Sequence, residues 1–321
     1  MINPQFDVQV QAIDPERALA LRVQAPSSTV FTHPQVLAAL SFRVQWWLAE
    51  HAGVAICIWP ICVDSGGRTN LPGLSYYVGP LWLLAPEPSA RRRLLLEVAV
   101  FQSMLSELRK HYGSFRFSLS PSIHDLRAFL WFQANGSAVS AKPRYTACIS
   151  GLQRLSEAEL LALFSYERRA DARRTAARGV CLLQNCSFEQ IDSLYARLMD
   201  ERGVTGIYMQ RRAELLALWD LVKRGFGYVV ACGHSSDDQL RAVWLVLCEN
   251  DRACGVIAAA EPAWRAQQNN AWVCWQALIA AKRRGADVYD FNGANSLARG
   301  SDKHSYGAEA ALYFDLELSD Q

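Results

Sequence analysis

The sequence lacks most of the short motifs that announce a chemistry. It has no CxxC, no Cys pair with a His at zinc spacing, and neither HExxH nor HxxxH among its six His, which removes the common zinc sites. No GxGxxG follows a strand-like run and no GxxxxGK[ST] occurs, so neither a dinucleotide fingerprint nor a P-loop is present. Gly73-Leu74-Ser75-Tyr76-Tyr77 lacks the second glycine of a nucleophile elbow. An excess of one charge is missing too: the net charge is +2, too small for a protein dominated by nucleic acid or anionic membrane. The longest apolar run, Val54 to Val63, is about half a membrane span and contains Pro60. Met1-Ile2-Asn3-Pro4-Gln5-Phe6-Asp7 shows neither a basic n-region nor an apolar h-region, so the expectation is a soluble, cytoplasmic protein with no integral membrane segment. Lysine is scarce: of 33 Lys and Arg, only Lys110, Lys142, Lys223, Lys282 and Lys303 are Lys, which makes each more informative.

What is present is apolar material. With 321 residues, 51% of them hydrophobic and ten Trp, the chain is expected to fold as one large or two medium domains. The nine Cys are scattered through apolar runs and read as buried small hydrophobes in a reducing cytosol. In the first half, strand-like runs at Phe6–Ile13, Gln45–Glu50, Val54–Val63 and Phe115–Leu119 flank an amphipathic helix at Arg91–His111, and a second helix is expected from Ile123 to Phe132. Ala134-Asn135-Gly136-Ser137 is a turn leading to a strand through Tyr145–Ile149.

In the second half, Ser156 with Glu159 fits a capping box for a helix running to Arg178, with Gly179 as its stop. Strand Val180–Gln184 and helices Phe188–Arg202 and Arg211–Arg224 follow. Then come strands Gly227–Gly233, Leu240–Glu249 and Ala253–Ala260, the first two joined by the polar turn His234–Asp238. A helix starting near Asn269 or Asn270 ends in Lys282-Arg283-Arg284 before Gly285, cations suited to the negative end of its dipole. Strand Val288–Phe291, a short helix to His304 and strand Ala310–Leu318 close the chain. Hairpins beside a crossover helix make this a mixed α/β sheet and exclude a doubly wound dinucleotide fold.

Two segments resemble a known family. The first is the basic helix Tyr166-Glu167-Arg168-Arg169-Ala170-Asp171-Ala172-Arg173-Arg174-Thr175-Ala176-Ala177-Arg178 running into Gly179-Val180. The second runs from Leu278 through Lys282-Arg283-Arg284-Gly285 and Tyr289-Asp290-Phe291-Asn292-Gly293-Ala294-Asn295 to Lys303-His304-Ser305-Tyr306-Gly307. In this order they resemble the basic helix, the YDFxG strand and the closing KxxFG element of FemABX-like transferases, relatives of the GNAT acyltransferases. The likeness spans about residues 156–313; in the first half only Phe31-Thr32-His33-Pro34-Gln35 before a helix adds to it.

The resemblance implies two GNAT-like domains in tandem, residues 1–150 and 151–321, with residues after about 310 returning to the first and substrates meeting between them. It implies transfer of an aminoacyl or acyl group, from aminoacyl-tRNA or acyl-CoA as donor co-substrate, to an amine of a cell-envelope, polysaccharide or secondary-metabolite precursor. No permanently bound cofactor and no metal are expected. A non-catalytic binding or scaffold protein on the same fold is the alternative.

Individual residues carry these expectations. Arg169 and Arg173, at i,i+4, have no acid three or four residues away, whereas Arg174 and Arg178 share a face with Glu167 and Asp171. An external anion accounts for the unpaired couple; a solvated face or a carboxylate from the other domain does so as well. The resemblance places an acceptor-phosphate Arg near Arg211 and Arg212, although the aromatic pair that follows in the family is Leu215-Leu216 here. It also places a cleft cation at Lys303, able to stabilise a tetrahedral oxyanion or to neutralise a substrate phosphate. Asp290, Asn292 and Asn295 are polar groups at a strand end and, with Tyr306 of the closing element, are taken as substrate-binding. Asn292-Gly293 is equally an ordinary turn dipeptide, and Asp290 a partner for buried backbone or an Arg. The loop before the crossover helix, Glu261 to Asn270, lacks the glycines that let acetyl-CoA-using relatives bring backbone N–H groups to pyrophosphate. Trp264 and Arg265 there are placed to stack on a base or meet a phosphate, unless Trp264 only packs.

Overall fold

The computed structural model describes residues 6–41, 43–83, 89–134, 136–237 and 239–320. Met1–Gln5, part of the stretch examined for a leader, Asn135 of the expected turn and Asp238 of the polar turn lie outside them. The chain forms two compact units, Met1–Arg144 with Leu312–Gln321, and Tyr145–Ala311.

The first unit opens with β1 (Val8–Ile13), α1 (Pro15–Arg22), α2 (Pro34–Leu40), β2 (Arg43–His51), β3 (Val54–Val63) and β4 (Leu81–Trp82), whose strands pair antiparallel in chain order. The β2–β3 hairpin turns on Ala52 and Gly53, both left-handed, the geometry whose twist matches paired strands. Next come α3 (Ala90–Tyr112), β5 (Phe115–Ser118), α4 (Arg127–Leu130), β6 (Gln133–Ala134) and β7 (Ser137–Ser150). Ser89 caps α3 and Gly113 ends it. Leu96, Val100, Met104 and Leu108 recur at helical spacing on α3 and share a core with Trp59, Phe101, Phe117 and Phe129. The helix expected from Ile123 to Phe132 is a single turn. Asp125 accepts the backbone N–H of Arg127, and Ser120 that of Ser122, and these local side-chain bonds compete with helix formation.

The second unit holds α5 (Glu157–Ala162), α6 (Tyr166–Ala176), β8 (Val180–Leu182), α7 (Phe188–Glu201), α8 (Thr205–Leu221), β9 (Gly227–His234), β10 (Ala242–Glu249), β11 (Arg252–Ala260), α9 (Pro262–Ala266), α10 (Asn270–Arg283), β12 (Val288–Asp290) and α11 (Leu297–His304). The last strand, β13 (Glu309–Asp320), begins here and ends in the first unit, where it pairs with β5. The sheet order is β7-β12-β11-β10-β9-β8, and every pair is antiparallel except β11 with β12, joined by the crossover helix α10. This is the mixed α/β sheet expected from the sequence.

The capping box at Ser156 and Glu159 forms, but the helix it starts does not reach Arg178. Phe164 turns into the core, Ser165 is extended, and Ser165 caps a new helix by accepting the N–H of Arg168. Helix α8 begins at Thr205, six residues before the expected start. Tyr208 is buried there, and its hydroxyl donates to Asp192 of α7 at 2.6 Å. Among the described residues no helix is long and apolar enough to cross a membrane.

Candidate functional site

Strands β11 and β12 are in register for only three residues, Arg252–Val288 to Cys254–Asp290. Beyond that point β11 continues to Ala260 while β12 stops, so the β11–β12 ladder ends at Cys254 and Asp290. The chain leaving β12 is held in place by side chains. Asp290 is fully buried; one carboxylate oxygen accepts from the Thr146 hydroxyl at 2.5 Å and from the Asn292 backbone N–H at 2.8 Å. Its other oxygen faces Arg252 at 3.4 Å. Asn292 is left-handed, with φ of 50°, and its amide donates at 2.9 Å to the carbonyl of Gly255, the first β11 residue past the paired stretch. The Asn295 side chain accepts the N–H of Tyr145 at 2.7 Å. Asp290, Asn292 and Asn295 thus fix the turn after β12 through bonds to the chain itself.

Lys303 projects from α11 onto this turn. Its ammonium donates to the carbonyls of Phe291 at 3.0 Å and Gly293 at 2.7 Å. Burial is the largest influence and lowers its pKa to about 8, against Asp290, which favours the charged form. Burial also raises the neighbouring Cys148 thiol to about 12, with Asp290 adding to the shift, so this Cys stays protonated and is a poor nucleophile. Tyr306 is buried, stacks on Phe291 with ring centroids 6.1 Å apart, and its hydroxyl faces Asp302 at 3.3 Å. It is a core residue here.

The basic helix α6 divides its arginines differently from the sequence expectation. Arg169 is not left over: it donates to the carbonyls of Ala162 at 3.0 Å and Phe164 at 2.6 Å, which the break after α5 leaves free. Arg173 is exposed and has no bonded partner among the described residues. Arg174 pairs with Asp171. Arg178, expected to find an acid, donates instead to the backbone carbonyl of Gln267 at 3.3 Å. Arg174 and Arg178 line an open cavity of about 660 Å³ with Ala266, Gln267 and Gln268, at the N-terminal end of α10. Gln268 is left-handed, with φ of 61°. Asn269 is buried and anchors the loop to α6 by accepting from the Thr175 hydroxyl at 2.9 Å.

Arg168 escaped the sequence reading. Its three nitrogens reach Ser305 Oγ at 3.0 Å, Gln268 Oε1 at 3.1 Å and Asp302 Oδ1 at 2.8 Å. These partners lie 100 to 137 positions away, so no local spacing could have marked it. Arg212 is committed to Asp192 at 2.8 Å and lies over the ring of Phe188. Arg211 is half-buried and, with Arg202 and Arg299, opposes the effect of burial on the Tyr195 hydroxyl. Trp264 packs, buried and edge-on to His234 at 5.5 Å, and Arg265 pairs with Glu201, so neither presents a free face to a base. Among the described residues no group of three His, Cys, Asp or Glu is arranged to hold a metal.

Residues 162–302, which lie within the second unit, match the model of the family described as acetyltransferase (GNAT) domain. Over nearly the whole chain the fold is that of FemX, with a TM-score of 0.65 at 11% identity, covering 95% of this chain and 96% of that one. A conserved protein of unknown function from Bacteroides thetaiotaomicron superposes with a TM-score of 0.59 at 12% identity, covering 98% and 100% of the two chains. A tandem GNAT protein from the clavulanic acid biosynthesis pathway gives 0.55 at 13% identity, covering 98% of each. At these identities the likeness is one of fold, shared with FemX and with a tandem GNAT protein. No curated protein matches the chain in sequence.

Proposed function

We propose that the protein is an N-acyltransferase, moving an aminoacyl or acyl group from aminoacyl-tRNA or acyl-CoA to an amine of a cell-envelope, polysaccharide or secondary-metabolite precursor in the cytoplasm. The observation that carries this reading is Lys303, a part-buried cation held against the open end of β12. The acceptor amine adds to the ester or thioester carbonyl and the carbonyl oxygen takes the negative charge. The intermediate then expels the ribose alkoxide or thiolate, which leaves as the alcohol or thiol after taking the proton lost by the amine. Lys303 stabilises the oxyanion in this scheme.

Both donors carry phosphate, and the cavity at the start of α10 supplies Arg174, Arg178 and a helix N-terminus to meet it. The absence of glycine from that loop, and the partners Arg174 and Arg178 already have, favour a second reading, a binding protein on the same fold. Arg173, exposed and without a bonded partner among the described residues, is open to an anionic substrate, as is Arg211.

The test is to identify by mass spectrometry what co-purifies with the protein, tRNA and CoA thioesters included, and then to follow transfer of labelled acyl groups from each donor class to primary amines. Lys303→Met should lower turnover by roughly a hundredfold or more, about 2.7–4 kcal/mol, with little change in donor affinity. Binding of a donor without transfer to any amine would favour the scaffold reading.

A further inference from the structure

Helix α11 carries Lys303 yet has no buried residue of its own. Its position is therefore set by polar ties. Besides Lys303 and the nearby contacts of Asp302 with Tyr306 and of His304 with Ala308, these come from α6 and its cap: the N–H of Ser165 donates to the Ser305 carbonyl at 2.8 Å, and Arg168 holds Asp302 and Ser305. The same guanidinium reaches sideways to Gln268, the left-handed residue in the wall of the cavity before α10. The ring of Tyr306 lies 5.2 Å from the guanidinium and fixes its plane, while the Tyr306 hydroxyl faces the same Asp302 oxygen. All three nitrogens of the planar fork are used, on two separate stretches of chain, one holding Asp302 and Ser305 and the other Gln268. A lysine at this position, a point charge on a flexible stem, cannot reproduce that geometry.

We propose that Arg168 is a positioning residue that locks the helix bearing Lys303 and the cavity residue Gln268 to α6, so that the cation and the cavity wall keep one fixed spacing. The consequence for turnover rests on the acyltransferase reading; the lock itself does not. The charged and titratable groups acting on Lys303 are Asp290 from β12, Cys148 from β7, and Arg299 and Asp302 from α11. Releasing Arg168 frees Asp302 from its ion pair and lets water reach a helix none of whose residues is fully buried. Both changes favour the ammonium and move the Lys303 titration upward from about 8.

The decisive variant is Arg168→Lys, which keeps the charge and loses the fork; Gln268→Gly keeps the left-handed backbone without strain and removes only the amide. The readout is the titration midpoint of Lys303 Nζ, followed by NMR in the full chain, with the melting temperature measured alongside. The expected result is a midpoint raised by about one unit in Arg168→Lys and by a smaller, same-sign shift in Gln268→Gly. A folded Arg168→Lys protein with the wild-type midpoint overturns the proposal, whatever its melting temperature. Should that variant not fold, an unmoved midpoint in Gln268→Gly overturns it. Failure of the wild-type protein to transfer any acyl group would count against the acyltransferase reading and leave this measurement intact.

Discussion

The ammonium of Lys303 stands 2.7 Å from the carbonyl oxygen of Gly293, against the chain that has just left β12. Burial there lowers its pKa to about 8, so the cation is present below that value and lost as pH rises through it. If the ammonium stabilises the oxyanion, the transfer step falls away above about pH 8. In Lys303→Arg this basic limb should disappear, because guanidinium stays protonated throughout the range. The pH–rate profiles of the two proteins check this.

The same shift has a sign for stability. The unfolded chain binds its Lys303 proton up to the usual lysine range, whereas the folded chain releases it near 8. Between those values the unfolded state holds more protons, so Lys303 makes unfolding free energy rise with pH. Urea unfolding at pH 7.5 and 9.5 should show a wild-type gain that Lys303→Met lacks.

Arg169 and Arg173 stand one helical turn apart on α6 and should behave oppositely. Arg169→Ala strands the carbonyls of Ala162 and Phe164 and should cost about 1.5–3 kcal/mol in urea unfolding. Arg173→Ala, exposed, should stay within about 0.5 kcal/mol, with any effect confined to ligand affinity.

Two left-handed glycines give a matched comparison. At Gly285, with φ of 88°, an added Cβ meets nothing within 4 Å, so Gly285→Ala should cost only the backbone term, about 1–2 kcal/mol. At Gly307, with φ of 80°, the added Cβ would stand 2.5 Å from the carbonyl oxygen of Leu163. Gly307→Ala should therefore lose visibly more stability than Gly285→Ala; equal losses would show that the α5–α6 link yields freely.

Asp290 should matter for folding before it matters for substrate. Asp290→Ala leaves Thr146, the Asn292 N–H and Arg252 short of a shared acceptor and should cost about 3 kcal/mol. Asp290→Asn, which still accepts from Thr146 and Asn292, should cost less. Thermal unfolding of the two variants gives the order.

Much of the second unit was legible because its signals are local. Ser156 with Glu159 announces a helix start, Gly285 a helix stop, and the apolar runs of β9, β10 and β11 need no distant partner to be recognised. What was not legible depends on contacts across the chain. The break at Leu163–Ser165 exists because Ser165 gives its N–H to Ser305, 140 positions on, and only that break supplies the carbonyls that occupy Arg169. Arg168 looks like any other charge of a basic helix until Gln268, Asp302 and Ser305 are brought to it. Resemblance and rarity single out Lys303 in the sequence, but its hydrogen bonds to the Phe291 and Gly293 carbonyls follow from a turn shaped by the Asp290 carboxylate.

The strand that starts in the second unit and ends in the first also orders events on the ribosome. Leu316 and Leu318 belong to the core built on Trp59, Phe101 and Phe117, and their strand pairs with Phe115–Ser118. The unit whose residues are synthesised first therefore lacks a core strand until the whole of Tyr145–Ala311 has been made. At ordinary elongation speeds that is a delay of roughly ten to thirty seconds before the core of the earlier unit can be completed. Of the two units, the one whose residues come first in the sequence is therefore the one whose core is completed by the last strand.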